Sequence, residues 1–288
     1  MKLSVFTVCT PDYNLEETVV KLKELGYDAI EWRVSKALTE DPNPIPPQDK
    51  WYWNYNKSTV DLDTLEENGE YLKSLSDKYD LPIVSLATYL SVVEVEKVEM
   101  VLKVAAQIGA PRIRVQVPGT KGVGDYNALF DKTIQDIKVI EQLAKKFQVK
   151  VSFETHHGNL IPSASAAYRL VSNFDSKYIG VTYDVGNTVR EGYESYNMAF
   201  QLLGEYLDHV HIKNARWFVS GLTEQGAQKW ICEWVPIKAG QVDMAQVISE
   251  LKAVGYDGYL SIEDFSNEQS TEVKLEECAQ YLRDLLGE

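Results

Sequence analysis

The strongest constraint on the fold is an alternation repeated eight times. Apolar, β-rich runs at residues 3–8, 29–34, 83–88, 112–117, 150–154, 179–184, 209–213 and 259–263 are each followed by a stretch in which apolar residues recur at helical spacing. Several of the runs are nearly continuously apolar, as expected of parallel strands covered on both faces. The first helical stretch, 15–25, puts Leu15, Val19, Leu22 and Leu25 on one stripe and then meets Gly26, a helix stop signal. Further helices are predicted at 62–79, 93–108, 126–147, 164–174, 193–206, 244–254 and 272–286. Eight strands with interleaved helices, the last helix closing the ring, predict an α/β chain folded as a (β/α)8 or TIM barrel rather than an open sheet. Residues 1–288 read as one domain, because no Ser/Gly tract, charge block or low-complexity run marks a linker. The segments LKELGYDAIE (22–31) and LKAVGYDGYLSIE (251–263) echo one another as helix end, turn and strand. The period is not sustained, which points to shared βα-unit construction rather than a repeat protein.

Composition removes several function classes. The net charge of −14, without a basic patch, argues against nucleic acid and anionic membranes as partners. The first residues lack the apolar stretch of a signal peptide and no run elsewhere could span a bilayer, so a cytoplasmic protein is expected. Cys9, Cys232 and Cys278 are odd in number and far apart, which suggests neither a disulfide framework nor a thiolate zinc site. Cys9 reads as a small buried residue.

The chemistry collects at the ends of the last four barrel strands. KVSFE ends on Glu154, IGVTYD on Asp184, HVHIKN carries His211 and YLSIED carries Glu263. The intervals of 30, 27 and 52 residues each correspond to one βα unit, the last enlarged by an insertion. In a closed barrel these ends converge on one mouth, where such enzymes keep their active sites. Ionisable groups on apolar strands are costly to bury unless paired or ligating, and one divalent cation among three carboxylates and an imidazole relieves that cost. Mostly hard oxygen donors with one imidazole suit Mn2+, Mg2+ or Co2+, with Zn2+ as a further option.

The motifs FETHHG, YDVGN, HVHIKN and LSIED, with GYDAIEWR near the start, resemble the xylose isomerase-like TIM-barrel superfamily over essentially the whole chain. This superfamily holds sugar-phosphate isomerases and epimerases, ketose 3-epimerases, inosose dehydratases, hydroxypyruvate isomerases and relatives of AP endonucleases. The resemblance implies that Glu154, Asp184, His211 and Glu263 bind the metal and that Glu154 and Glu263 are also the acid/base pair. It implies an isomerase or epimerase acting on a sugar, sugar phosphate or related polyhydroxy ketone through an enediolate. A dehydratase of the inosose or dehydroshikimate type would use the same site, and a non-catalytic sugar-binding barrel is the alternative from another class. Two positions depart from the family pattern: Asn187 stands where many relatives have histidine, and Asn214 where many have aspartate. The presence of only four histidines argues against the multinuclear zinc sites of the nuclease branch.

Candidate substrate contacts are His156, Glu31, Arg33, Asn187, Lys213 and Arg216, with Lys213 and Arg216 able to bind a carboxylate or phosphate. Glu31 and Arg33 share a strand face and could instead bond each other; Arg114 and Gln116 share a face in the same way. His157 reads as a loop residue and His209 as a satisfied core histidine. Tyr89, Trp53 and Trp217 could stack on a sugar or belong to the core. The expected partner is a small-molecule sugar or sugar phosphate, with homo-oligomerisation left open. GTKGVG at 119–124 fits neither phosphate-loop spacing and reads as a glycine-rich turn. The aromatic stretches 35–58 and 217–240 read as irregular βα loops that form a lid, a pocket wall or a packing surface.

Overall fold

The computed structural model describes residues 1–37, 52, 53 and 55–288. In chain order its strands are β1 Lys2–Phe6, β2 Ala29–Ser35, β3 Val60–Asp61, β4 Ile83–Ser91, β5 Arg112–Gln116, β6 Lys150–Glu154, β7 Ile179–Asp184, β8 Leu207–Ile212, β9 Asn214–Leu222, β10 Gln228–Val235 and β11 Tyr259–Ile262. The helices are α1 Leu15–Glu24, α2 Leu65–Tyr79, α3 Val95–Ile108, α4 Tyr126–Phe147, α5 Ala164–Val171, α6 Asn187–Arg190, α7 Tyr196–Leu203, α8 Met244–Ala253 and α9 Thr271–Leu286.

Eight strands pair in parallel in the order β1, β2, β4, β5, β6, β7, β8, β11, and β11 pairs back onto β1. This is the closed barrel expected from the alternation, and all eight predicted runs become its staves. Local signals agree with the global fold. In α1 the Asn14 side chain accepts from the Glu17 N–H at 3.0 Å while Glu17 accepts from the Asn14 N–H at 2.9 Å, a complete capping box. Gly109, at φ +79°, closes α3 in the left-handed conformation that a side chain would resist.

Alternation along the strands divides the interior into two zones. Val151, Phe153, Val181, Tyr183, Val210, Ile212, Leu260 and Ile262 form the apolar layer of the core. Tyr183 meets Phe200 of α7 edge-on at 5.1 Å, a geometry the ring quadrupoles favour. The intervening positions, Ser152, Glu154, Thr182, Asp184, His209, His211, Ser261 and Glu263, are polar and buried. Ser152 and Thr182 bond each other across the strand pair at 2.9 Å. Register then sets the site: Asp184 lies beside His211, His211 beside Ser261, and Glu154 beside Thr182.

Several expectations are corrected. The stretch 217–240 is an antiparallel hairpin of β9 and β10, not an irregular loop. Its β-rich arms flank a turn with Gly226 at φ +78°, so the pattern was present in the sequence. The helix expected at 193–206 is α7 followed by a tight 3-10 turn at Gly204–Tyr206, the first strand gives way to a 3-10 turn at Thr7–Cys9, and α6 was not foreseen. Of the stretch 35–58, residues 38–51 and 54 lie outside the described residues. Among the described residues no helix is long and apolar enough to cross a membrane.

Candidate functional site

Glu154, Asp184, His211 and Glu263 each present one donor atom, and all four atoms lie within 4.8 Å of one another. His211 Nδ1 is at the centre, 3.3 Å from Glu154 Oε1 and 3.8 Å from both Asp184 Oδ2 and Glu263 Oε2. All four residues are buried. Asp184 Oδ1 is satisfied by the Asn187 N–H at 2.7 Å. Asp184 Oδ2 accepts no hydrogen bond, although Lys213 Nζ stands 2.8 Å away as an ion pair. The same ammonium contacts Glu263 Oε2. Three buried carboxylates and an imidazole nitrogen converging within 4.8 Å, mostly hard oxygen donors, fit a divalent cation.

Beneath this cluster lies Glu31. Its Oε2 accepts from His211 Nε2 and His209 Nε2, both at 3.0 Å, and from Ser261 Oγ at 2.7 Å. Burial pushes the Glu31 carboxyl up, but the charges and hydrogen bonds of the two imidazoles outweigh it and hold the group well below the usual carboxylate range. For His211 burial pushes downward, and Glu31 together with the ring's other carboxylate partners raises it well above the usual imidazole range. His209 is lowered, because its burial exceeds the help from Glu31. With a proton on His211 Nε2 shared with Glu31, Nδ1 is the nitrogen that could face a cation, an arrangement that matches the carboxylate–histidine–metal triads of many metal sites.

The two glutamates at the mouth differ in their surroundings. Glu154 is clamped by Arg114 Nη1 at 2.7 Å on Oε2 and by Asn187 Nδ2 at 3.1 Å on Oε1. Burial would raise its pKa, but the Arg114 charge, together with the His211 hydrogen bond and charge and the Lys213 ammonium, outweighs this and holds it well below the usual range. For Glu263 burial outweighs the attraction of Lys213, the Glu154 charge adds to it, and the carboxyl is pushed up to about 7.

A cavity of about 310 Å3 opens over the cluster. Glu154, Glu263, Arg114 and Lys213 line it from below, and Trp53, Tyr89, Trp234 and Phe265 supply aromatic wall. Gln116, His156, His157 and Arg190 complete it. Of the predicted substrate contacts, the structure brings His156 and Lys213 to this cavity. Four others are placed elsewhere. Glu31 is fully engaged under His211; Arg33 is buried and donates to Tyr89 Oη at 3.4 Å, to the Trp53 carbonyl at 3.0 Å and to Thr59. Asn187 sits behind Glu154, and Arg216 is exposed on β9. Glu31 and Arg33 do not bond each other, because their partners lie at different depths of the barrel. His157, read as a loop residue, lines the cavity and stacks on His156 at 4.2 Å. Trp217 stands on the hairpin, its indole N–H donating to the Val189 carbonyl. Cys9 is buried as expected, its thiol pushed up to about 12 by that burial.

Arg190 and Phe265 were not identified from sequence, and Trp234 belongs to the aromatic stretch 217–240, for which a pocket wall was one of the expected roles. Arg190 follows Asn187 by one helical turn in α6, so the VGNTVR segment contained a usable signal. Trp234 is placed by hairpin register, which no local pattern specifies.

Comparison with known proteins agrees with this geometry. The family model for xylose isomerase-like TIM barrels matches residues 19–285. An uncharacterized protein of Methanocaldococcus jannaschii is 23% identical over 281 residues, covering 92% of this chain and 84% of that protein. An inosose dehydratase of Lactiplantibacillus plantarum is 30% identical over 144 residues, which is 46% of each chain, so the chain matches about half the length of that enzyme. In fold, the chain resembles the apo 3-keto-D-glucoside 4-epimerase of E. coli, with a TM-score of 0.73, 17% identity and 99% of each chain covered. It also resembles a xylose isomerase-like TIM barrel protein from Mycobacterium smegmatis solved in complex with magnesium, with a TM-score of 0.70, 18% identity and coverage of 99% and 96%. The closed eight-stranded barrel and a family match spanning nearly the whole sequence lead to one statement of membership: the chain belongs to the xylose isomerase-like TIM barrel family.

Proposed function

We propose that this chain is a divalent-metal-dependent isomerase or epimerase acting on a sugar, a sugar phosphate or a related polyhydroxy ketone. The observation that carries this reading is the convergence of Glu154, Asp184, Glu263 and His211 Nδ1 at the floor of an aromatic-walled cavity. These four residues would hold Mn2+, Mg2+, Co2+ or Zn2+. Such a cation would polarise the carbonyl and neighbouring hydroxyl of a hydroxy ketone and acidify the C–H beside them.

The chain's own groups divide the remaining work. Glu154, held ionised by Arg114, and Glu263, the more basic of the two, both face the cavity, so two carboxylates of different proton affinity flank the reacting carbon. A pair of titratable groups pushed apart in this way is suited to taking a proton from one position and delivering it at another. Proton return from the opposite face gives epimerisation; return from the same side, with transfer between carbons, gives isomerisation. Trp53, Trp234 and Phe265 exclude water from one side, and Trp53 packs on Phe265 at 5.0 Å.

The similarity to an inosose dehydratase over half the chain supports a second reading, in which the same proton abstraction is followed by loss of a β-hydroxyl. Incubation of the Mn2+-supplemented protein with candidate ketoses in D2O separates the readings. Carbon-bound deuterium without water loss supports an isomerase or epimerase, and water loss supports a dehydratase. Sugar binding with neither indicates a non-catalytic barrel. Glu154→Gln is expected to abolish exchange and weaken Mn2+ binding, and wild-type exchange in that variant would overturn the mechanism.

A further inference from the structure

We propose that Arg190, positioned by His157, anchors an anionic group of the substrate, so that the cavity selects a polyhydroxy ketone bearing a carboxylate or a phosphate. This rests on the functional reading above and narrows it to acidic substrates.

The argument starts from how the cationic groups of the cavity are used. Arg114 is committed to Glu154 at 2.7 Å, and Lys213 to Asp184 and Glu263. Arg190 differs: among the described residues no carboxylate lies within ion-pair distance of it. Its Nη2 donates to the Cys232 carbonyl at 2.8 Å, its Nη1 to His157 Nε2 at 3.2 Å, and its guanidinium lies 4.6 Å from the centre of the Trp234 ring. A backbone carbonyl, an imidazole and an indole face are neutral partners that orient a guanidinium without cancelling its charge. Arg190 is half-buried and lines the cavity, unlike a solvated surface arginine.

His157 reinforces this. Because Nε2 accepts from Arg190, the ring proton sits on Nδ1 and donates to Asn187 Oδ1 at 3.3 Å. Burial, then the neighbouring His156 and Arg190, push its pKa down to about 4, so the ring stays neutral at ordinary pH. Asn187 in turn donates from Nδ2 to Glu154 Oε1 at 3.1 Å. A directed chain of donors therefore runs from Arg190 through His157 and Asn187 to Glu154. An anion seated on Arg190 would fix the far end of the substrate and the chain that orients the Glu154 carboxylate. Trp234 is shared between the two ends, since Lys213 Nζ also lies 4.8 Å from its ring centre. Arg216, the arginine that sequence suggested for this task, is exposed on β9 and outside the cavity lining.

The test uses the full chain loaded with Mn2+ and three matched probes: dihydroxyacetone, which is neutral, hydroxypyruvate, which carries a carboxylate, and dihydroxyacetone phosphate. Binding is measured by calorimetry and exchange by deuterium incorporation beside the carbonyl. A charge-assisted contact of ~1.5–3 kcal/mol corresponds to about ten- to a hundredfold tighter binding of an acidic probe than of the neutral one. In Arg190→Met that ratio should fall to about one, and Arg190→Lys should restore part of it. Mn2+ affinity, read separately, checks that the barrel is intact. Whichever acidic probe shows the larger Arg190-dependent gain identifies the anion as carboxylate or phosphate. A wild-type ratio near one, or a ratio that survives Arg190→Met, overturns the inference while leaving the functional reading standing. If Mn2+ binds but no probe binds or exchanges, the functional reading fails and this inference fails with it.

Discussion

Glu31→Gln offers the sharpest test of how the centre is built. Glu31 touches none of the cavity, yet its Oε2 receives three donors, one of them from the imidazole whose other nitrogen faces the carboxylates. Glutamine keeps the shape and one acceptor oxygen but removes the charge. Hydrogen bonds to an ionised acceptor are roughly twice as strong as neutral ones, so the His211 bond alone should lose ~1 kcal/mol or somewhat more. Loss of an outer-shell carboxylate commonly weakens metal binding about ten- to a hundredfold. There is an opposing effect. In the metal-free protein Glu31 keeps His211 protonated, and that proton must leave before Nδ1 can coordinate. In Glu31→Gln the largest influence that raises the His211 pKa is gone, so that proton is held less tightly, which partly masks the loss. The assay is therefore a metal titration at pH 8.5, where competition is smallest, paired with proton release at pH 7 measured in two buffers of different ionisation enthalpy. We expect affinity to fall about tenfold or more and proton release at pH 7 to decrease. Affinity within about threefold of wild type together with unchanged proton release would refute the role assigned to Glu31.

Two further outcomes follow from the same geometry. Because the Glu263 carboxyl is pushed up to about 7 and would have to ionise to coordinate, apparent Mn2+ affinity should rise with pH through that value, the Glu263 share of the released protons shrinking above it while the His211 share persists; pH-independent affinity from pH 5 to about 7 would contradict the assignment. The same shift has a stability consequence of defined sign. The folded state holds this proton more tightly than the unfolded chain, so in metal-free protein Glu263 should lower Tm as pH rises from 4.5 to about 7, and Glu263→Gln should flatten that slope. Gly186→Ala should destabilise the barrel by ~1–3 kcal/mol in urea titration, since an added Cβ would lie 2.4 Å from Lys213 Cγ and 3.0 Å from the Lys213 carbonyl oxygen; wild-type stability would show that the chain at Lys213, just after β8, yields freely there.

The four converging donors were legible because strand ends translate into position with little freedom. In a parallel barrel each βα unit returns the chain to the same rim, so Glu154, Asp184, His211 and Glu263 needed only correct strand assignment to meet. Depth was less legible than direction. Glu31 on β2 reads as an inward carboxylate, and only the barrel's closure shows that it ends beneath His211 rather than in the cavity. Arg190 and the placement of Trp234 escaped for a different reason. A one-turn helix has too few residues to display a period, and a hairpin's register is fixed by pairing across the sheet. Arg216 misled because it follows the HVHIKN strand closely in sequence, yet the β9 ladder carries its side chain outward.

Lys213 has a consequence for how the centre is filled. Its ammonium reaches both Asp184 and Glu263, so the chain supplies its own tethered counter-ion for the carboxylate ring. Binding of a divalent cation there would be an exchange of one cation for another rather than the filling of a bare anionic hole. The ammonium thereby offsets part of the mutual repulsion of these acids before any cation arrives. An ammonium displaced in this way would stay beside the rings of Trp234 and Phe265, where it could meet a bound substrate.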